Sequence, residues 1–277
     1  MRIFVQFLGY FSLLVTTICL AQQAENTDLA VGKNFLTTKT YSEEENAQIL
    51  ELFKGLRVAD VSDGMDMVGL PGTGLVDPAI HPAWLDLENF SHQIRGVAVT
   101  VRYVPTQKAD RPQPGENFQT WEGHFYNTYS SEAFTQLIGP GTVIVLDDVE
   151  EKDIGSIGSN NILSWISRGA VGVITDASAR DTDEIAIEKV PLYLRKKGRG
   201  IRPGRNELES VNRPVVIGGV LVCPGDIVVA DGDGVIVVPR YVAEKVAGFA
   251  HQILQKDKEG RKRLYERLNM PLDDTVK

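Results

Sequence analysis

The first strong pattern along the chain is an almost unbroken apolar run from Ile3 to Leu20 behind a single positive residue, Arg2. Cys19 and Ala21 place small residues at the −3 and −1 positions, so residues 1–21 read as a secretory signal peptide cleaved before Gln22. The competing reading is an uncleaved anchor, since about 18–20 apolar residues also span a bilayer. Residues 22–43 are polar and read as a flexible leader. Ser42 with Glu45 three positions on forms a capping box, and Ala47, Ile49, Leu50 and Phe53 continue at helical spacing as far as Gly55. A second helical stretch spans Val58–Gly69, followed by an irregular Gly/Pro-rich excursion over 69–92.

Two β-branched runs, 96–104 and 142–148, predict strands. The polar, proline-rich segment between them holds Phe118, Trp121, His124 and Phe125, and reads as a long loop. It suits either a binding lid or an insertion against a neighbouring subunit. From Ile154 the rhythm becomes a glycine turn, a helix over 159–168, a buried strand over 170–175 and a polar turn over Asp176–Asp183. A basic, glycine-rich connector follows at 193–207, then short strands at 213–219, 226–231 and 234–239, and a charged helix over 241–268. Interleaved helices and strands with a late run of strands predict an α/β fold with mixed sheets. The expected domain is single, over 44–268, with a short tail at 269–277.

Composition narrows the partners. The chain has 277 residues, 43% hydrophobic and 24% charged, which is enough to bury a real core. Its net charge of -8, from 37 acidic against 29 basic residues, disfavours nucleic acid. Two cysteines exclude a disulfide-built scaffold, and cleavage before Gln22 would leave only Cys223. The four histidines, at 81, 92, 124 and 251, show no ligand spacing, and neither HExxH, a P-loop nor a GxSxG elbow is present. The acidic stretch GDIVVADGDGVIVVPR reads as paired hairpin turns, since its spacing does not fit a calcium loop.

Candidate chemistry concentrates in two segments. Gly155-Ser156-Ile157-Gly158-Ser159-Asn160-Asn161 opens a helix, where free N–H groups favour an anion, although an ordinary capped turn reads the same way. One strand later, Arg180 stands beside Asp181, a fixed cation next to a hard oxygen ligand. Asp181 suits Mg²⁺ and Arg180 suits a carboxylate or enolate, while a surface salt bridge remains the alternative. The run Arg195, Lys196, Lys197, Arg199, Arg202 and Arg205 suits an anionic substrate, or a solvated loop or subunit contact.

With those residues in view, GAVGVITDASARDTDEI (169–185), GRGIRPGRN (198–206), RPVVIGGVLVCPGDIVVADGDGVIVVPR (213–240) and VADVSDGM (58–65) resemble the RraA-like family. That family includes 4-hydroxy-4-methyl-2-oxoglutarate and 4-carboxy-4-hydroxy-2-oxoadipate aldolases and the ribonuclease regulator RraA; many members carry a dimethylmenaquinone methyltransferase label. The resemblance implies an α/β/β/α sandwich assembled as a homotrimer or hexamer with active sites between subunits. It implies Mg²⁺ or Mn²⁺ on Asp181, Arg180 on the oxo group or developing enolate, and the carboxylate of a small oxo acid on the amides of Gly155–Asn161. The methyltransferase label finds no glycine-rich nucleotide loop here. One departure stands out: the aldolases carry an acidic residue 21 positions before the arginine, where this chain has Ser159. A further family carboxylate from a neighbouring subunit's C-terminal helix falls nearest Asp257 or Glu259. The implied function is a pyruvate-forming, metal-dependent lyase acting outside the cytoplasm, with sugar-derived acids among its substrates. The alternative is a non-catalytic ligand- or protein-binding oligomer. No nucleic-acid partner and no stable membrane insertion after cleavage are expected.

Overall fold

A computed structural model describes residues 29–112, 115, 117–149 and 153–277, so the expected signal peptide at 1–21 lies outside the described residues. Residues Thr38–Lys277 form one compact unit, separate from the described residues 29–37. The compact unit therefore starts ahead of the first predicted helix and takes in 269–277. Val276 in that last stretch is buried, and Arg261 Nη2 donates to the Thr275 carbonyl at 2.8 Å.

Helix α1 (Glu43–Leu52) opens as the capping box predicts: Ser42 Oγ accepts from the Glu45 N–H at 3.1 Å, and Glu45 returns the bond to the Ser42 N–H at 2.8 Å. Helix α2 (Val58–Met67) lacks a hydroxyl cap. Instead Asp60 accepts from the Arg57 N–H at 3.0 Å and pairs with its guanidinium at 2.5 Å. That pair, with help from Asp257, pushes the Arg57 pKa above its ordinary value.

The strands are β1 (His81–Pro82), β2 (Ile94–Pro105), β3 (Thr142–Asp147), β4 (Ala170–Ala179), β5 (Leu192–Lys197), β6 (Asn206–Val211), β7 (Val215–Ile217), β8 (Val220–Val222), β9 (Ile227–Asp231) and β10 (Gly234–Val238). Eight of them make one mixed sheet in the order β1-β5-β4-β3-β2-β9-β10, with β6 also on β2. The strands β2 to β5 run parallel to one another, while β1, β6, β9 and β10 pair antiparallel. Strand β2 is long enough to serve two partners, Ile94–Val97 on β9 and Val101–Pro105 on β6. The hairpin of β7 and β8 stands apart as its own small sheet.

The period-2 alternation of β3 sorts its side chains between two cores. Val143 and Val145 join Ile94, Ile174 and Tyr193 beneath the β7–β8 hairpin. Ile144 and Leu146 face the opposite way, onto Trp165 of α4 (Ser159–Ser167) and Ile185 of α5 (Thr182–Ile187). A third core packs α1, α2 and the long helix α6 (Ala243–Leu268) onto β9 and β10. This layered, mixed-sheet single domain is the fold class the alternation predicts.

Three expectations change. The long segment after β2 contains helix α3 (Phe118–Thr128), capped by Asn117 Oδ1 on the N–H groups of Gln119 and Thr120. Phe118, Trp121 and Phe125 lie at helical spacing, and Phe125 is fully buried. Asp176–Ala179 is not a turn but the continuation of β4, because Ala177, Ser178 and Ala179 are small enough to be packed at essentially no exposure. The 193–207 segment is not a free connector either: β5 takes its beginning and β6 its end.

Candidate functional site

The end of β4 delivers Arg180 and Asp181 to the start of α4. Ala179 bridges to Ile157, and the Arg180 N–H donates to the Ile157 carbonyl at 2.8 Å. Asp181 then takes a left-handed backbone (φ 56, ψ 34), a conformation that costs a non-glycine residue of order 1 kcal/mol. In that pose its Oδ2 accepts from the Ser159 N–H at 3.2 Å and lies 3.8 Å from Arg180 Nε. The side chains of Arg180 and Asp181 stay 37% and 40% exposed.

Two glycines make the approach possible. A Cβ on Gly158 would sit 2.8 Å from Asp181 Oδ2, and one on Gly155 would sit 2.6 Å from the Arg180 Cβ. The sequence GSIGSNN thus belongs with Arg-Asp for a steric reason that spacing alone does not reveal.

The Gly155–Asn161 cradle is narrower than expected. The Gly155 N–H is already bonded to the Gly200 carbonyl at 2.8 Å, and Ile157 is fully buried in the core. The Ser156 hydroxyl is also buried and donates to Asp148 Oδ2. Asp148, Ser156, Asn206 and Ser130 form a buried polar chain, with Asn206 Nδ2 on Asp148 Oδ1 at 2.7 Å and Ser130 Oγ on Asn206 Oδ1 at 3.1 Å. Ser156 and Ile157 therefore hold the loop, while Gly158, Ser159, Asn160 and Asn161 carry the helix start. There the first-turn N–H groups have no helical carbonyl behind them.

A cleft of about 410 Å³ opens beside Arg180, lined also by Glu122, Tyr126, Asn127, Ser130, Ser131, Glu132, Asn161 and Arg202. Glu132 is its hub. Its Oε1 accepts from Asn161 Nδ2 and Arg202 Nη2, each at 2.6 Å, and its Oε2 accepts from Trp165 Nε1 at 2.9 Å. Arg202 is 2% exposed, donates from Nη1 to the Tyr103 hydroxyl at 2.6 Å, and lies 5.1 Å from the ring centres of both Tyr103 and Tyr126. Burial, helped by the Glu132 and Asp148 charges and opposed by Arg202, pushes the Tyr103 phenol well above its usual range. Sequence reading missed Glu132, Tyr126 and Asn127. Glu132 sits in a Ser-rich stretch with no motif, and the two α3 residues were read as loop.

The basic run is not an open anion patch. Arg195 pairs with Asp77 at 2.8 Å, Arg199 with Asp153 at 2.5 Å and Arg202 with Glu132 at 2.6 Å, while Arg205 Nη1 donates to the Ile201 carbonyl at 2.9 Å. Asp257 lies 3.3 Å from Arg57 and Glu259 accepts from Gln255 at 3.1 Å; neither lines this cleft. At the strand ends, burial and the Asp147 charge push Asp176 up to about 7. Burial raises Asp147 as well, against the pull of Arg102. Among the described residues no three His, Cys, Asp or Glu side chains gather closely enough to hold a metal by themselves. Asp181 offers instead one half-open carboxylate, which suits a cation that keeps most of its waters.

Comparison with known proteins identifies the family and the fold. The model of the RraA-like family, described as Aldolase/RraA, matches residues 58–237. The chain belongs to that family. DlpA of Legionella pneumophila is 26% identical over 184 residues, which is 66% of this chain and 26% of that protein. A provisionally named 4-hydroxy-4-methyl-2-oxoglutarate aldolase of Halalkalibacterium halodurans is 31% identical over 125 residues, 45% of this chain and 58% of the relative. The chain thus spans less than two thirds of the length of these curated relatives. Among solved structures, an uncharacterized protein of Pseudomonas syringae aligns with TM-score 0.64 at 24% identity, covering 88% of this chain and 98% of that one. RraAS2 of Streptomyces coelicolor, described as an unusual member of the RNase ES inhibitor RraA family, aligns with TM-score 0.63 at 22% identity, covering 79% and 98%. These two likenesses concern the fold.

Proposed function

We propose that this protein is a divalent-metal-dependent carbon–carbon lyase that releases pyruvate from a 4-hydroxy-2-oxo acid, with Mg²⁺ or Mn²⁺ as cofactor. The observation that carries the reading is Asp181, held left-handed against the start of α4 with Arg180 alongside, in a chain of the Aldolase/RraA family. Asp181 fits a hard cation because its carboxylate is 40% exposed and is oriented by the Ser159 N–H. Asp181 would hold the ion, which supplies Lewis-acid polarisation of the keto group when bound.

The chain's own groups do the rest. The first-turn N–H groups of α4 that Asp181 leaves open, those of Asn160 and Asn161, bind the carboxylate next to the keto carbon. As the bond between C3 and C4 breaks, its electron pair passes into the enolate of pyruvate; the C4 hydroxyl gives its proton to solvent water as it becomes a carbonyl, and C3 of the enolate takes a proton back from water to give pyruvate. Arg180 stabilises the negative charge that develops on the enolate oxygen. Ser159, where the family aldolases carry an acid, makes its contact to Asp181 through the backbone N–H rather than through a side-chain charge.

A coupled assay of pyruvate release with Mg²⁺ or Mn²⁺ tests this. Activity in the wild type that disappears in Asp181→Ala is the expected result; full activity in the variant, or none in the wild type across oxo acids, overturns it. Ser159 favours a second reading, a non-catalytic binding protein of the same fold. A thermal shift with oxalate and Mg²⁺ but no turnover of any oxo acid would select it. Export through residues 1–21 and assembly as a homotrimer or hexamer complete the proposal; N-terminal sequencing of the mature protein and light scattering read them directly.

A further inference from the structure

The cleft beside Arg180 says what the rest of the substrate looks like. A second carboxylate on the substrate would need a cation deep in the cleft. Beyond Arg180, the cation this chain gives the lining is Arg202, whose charge is balanced by Glu132 at 2.6 Å and which is buried between two tyrosine rings. Glu122 adds a further negative charge to the lining. A carboxylate placed among these groups would meet two acids and one arginine whose charge Glu132 already balances, which is repulsive in a partly desolvated site. What the walls do offer is a mixture of donors and acceptors: the Tyr126 phenol, the Asn127 amide, the Ser131 hydroxyl and the Glu122 carboxylate. Groups that both give and accept hydrogen bonds match the hydroxyls of a sugar chain. The volume, about 410 Å³, lies in the range of small-molecule sites, roughly 300–1,000 Å³.

We infer that the substrate carries a single carboxylate at the Arg180 end and an uncharged, polyhydroxylated tail that lies under α3: a sugar-derived monocarboxylic acid rather than a dicarboxylic oxo acid. This rests on the lyase reading for the head of the substrate, but not for the tail. Asn127 is exposed and Tyr126 half-buried on α3, so both can be changed without opening the core.

The test pairs turnover with binding. Pyruvate release is compared for a six-carbon 2-keto-3-deoxyaldonate and for 4-hydroxy-4-methyl-2-oxoglutarate, with Mn²⁺ present. Calorimetry then compares two unreactive tails, D-gluconate and glutarate, on wild type, Asn127→Leu and Tyr126→Ala, with circular dichroism confirming the fold of each. Preference for the polyhydroxylated acid in both assays is expected. That preference should fall at least about tenfold in the variants, as a site built for hydroxyls loses its discrimination. Equal or tighter glutarate binding, no gluconate binding, or a preference untouched by both substitutions overturns the inference. If no oxo acid releases pyruvate yet gluconate still wins over glutarate, the lyase reading fails and the tail assignment stands.

Discussion

Two arginine–carboxylate pairs serve the same cleft and do opposite work. Arg202 and Glu132 meet at 2.6 Å with side chains 3% and 22% exposed, and Glu132 also grips Asn161 and Trp165 of α4. Arg180 and Asp181 lie 3.8 Å apart with side chains 37% and 40% exposed, and one carboxylate oxygen is steered by a backbone N–H. The first pair is tightly coupled and fixes the wall against the helix. The second is loosely coupled, so its members can trade each other for a substrate or a cation at little cost. A buried ion pair holds geometry; a half-open one remains available for chemistry.

The contrast breaks most sharply at the open pair. Asp181→Asn keeps the side-chain shape and tolerates the left-handed backbone, so melting temperature should hardly move. Pyruvate release should fall by about 10⁴-fold or more, worth over ~5 kcal/mol. The reverse pattern is expected at the buried pair. Glu132→Ala strands the Arg202 charge and the Trp165 N–H, and urea titration should show a stability loss of about 3 kcal/mol.

A third carboxylate, Asp176, extends the comparison to an acid that burial dominates over its nearby arginine. Its folded pKa, about 7, lies above its unfolded value of roughly 4, so the native state holds a proton that the unfolded chain releases. Stability therefore falls as pH rises from about 4 to about 7. Asp176→Asn should flatten that slope and gain on the order of 2 kcal/mol at pH 8, measured by denaturation across pH. The smallest effect is steric. Gly158→Ala would press a methyl group toward Asp181 Oδ2, 2.8 Å away, and should lower activity about tenfold with little change in melting temperature.

Much of this was legible beforehand because it rests on local rules. The capping box at Ser42 and the strands around Val143–Leu146 follow from side-chain chemistry within a few residues. Arg180 and Asp181 stood out because an arginine beside a carboxylate at a strand end is chemically loaded wherever it falls. What escaped depends on distant partners. Glu132 becomes a hub only when Trp165 and Arg202 fold onto it, 33 and 70 residues later. Ser156 stood in the expected anion cradle of Gly155–Asn161, but its hydroxyl is tied to Asp148, eight residues back in the chain. The basic 195–205 run left an anion site open beside a solvated loop or subunit contact, because its acidic partners, Asp77, Asp153 and Glu132, lie far back in the chain. Helix α3 did carry a local signal in Phe118, Trp121 and Phe125, but neighbouring prolines and polar residues masked it.

Position 181 answers to two demands that only one common side chain meets. Its backbone, at φ 56, is comfortable for glycine, asparagine and aspartate and for few others, while the proposed chemistry needs a carboxylate. In a saturation library the residues tolerated for folding and those tolerated for turnover should therefore separate cleanly at this position. Glycine and asparagine should give soluble, silent protein. Glutamate should keep the charge yet lose both the backbone fit and the reach. Aspartate alone should satisfy both screens, so position 181 can report folding and catalysis as two distinct phenotypes in one experiment.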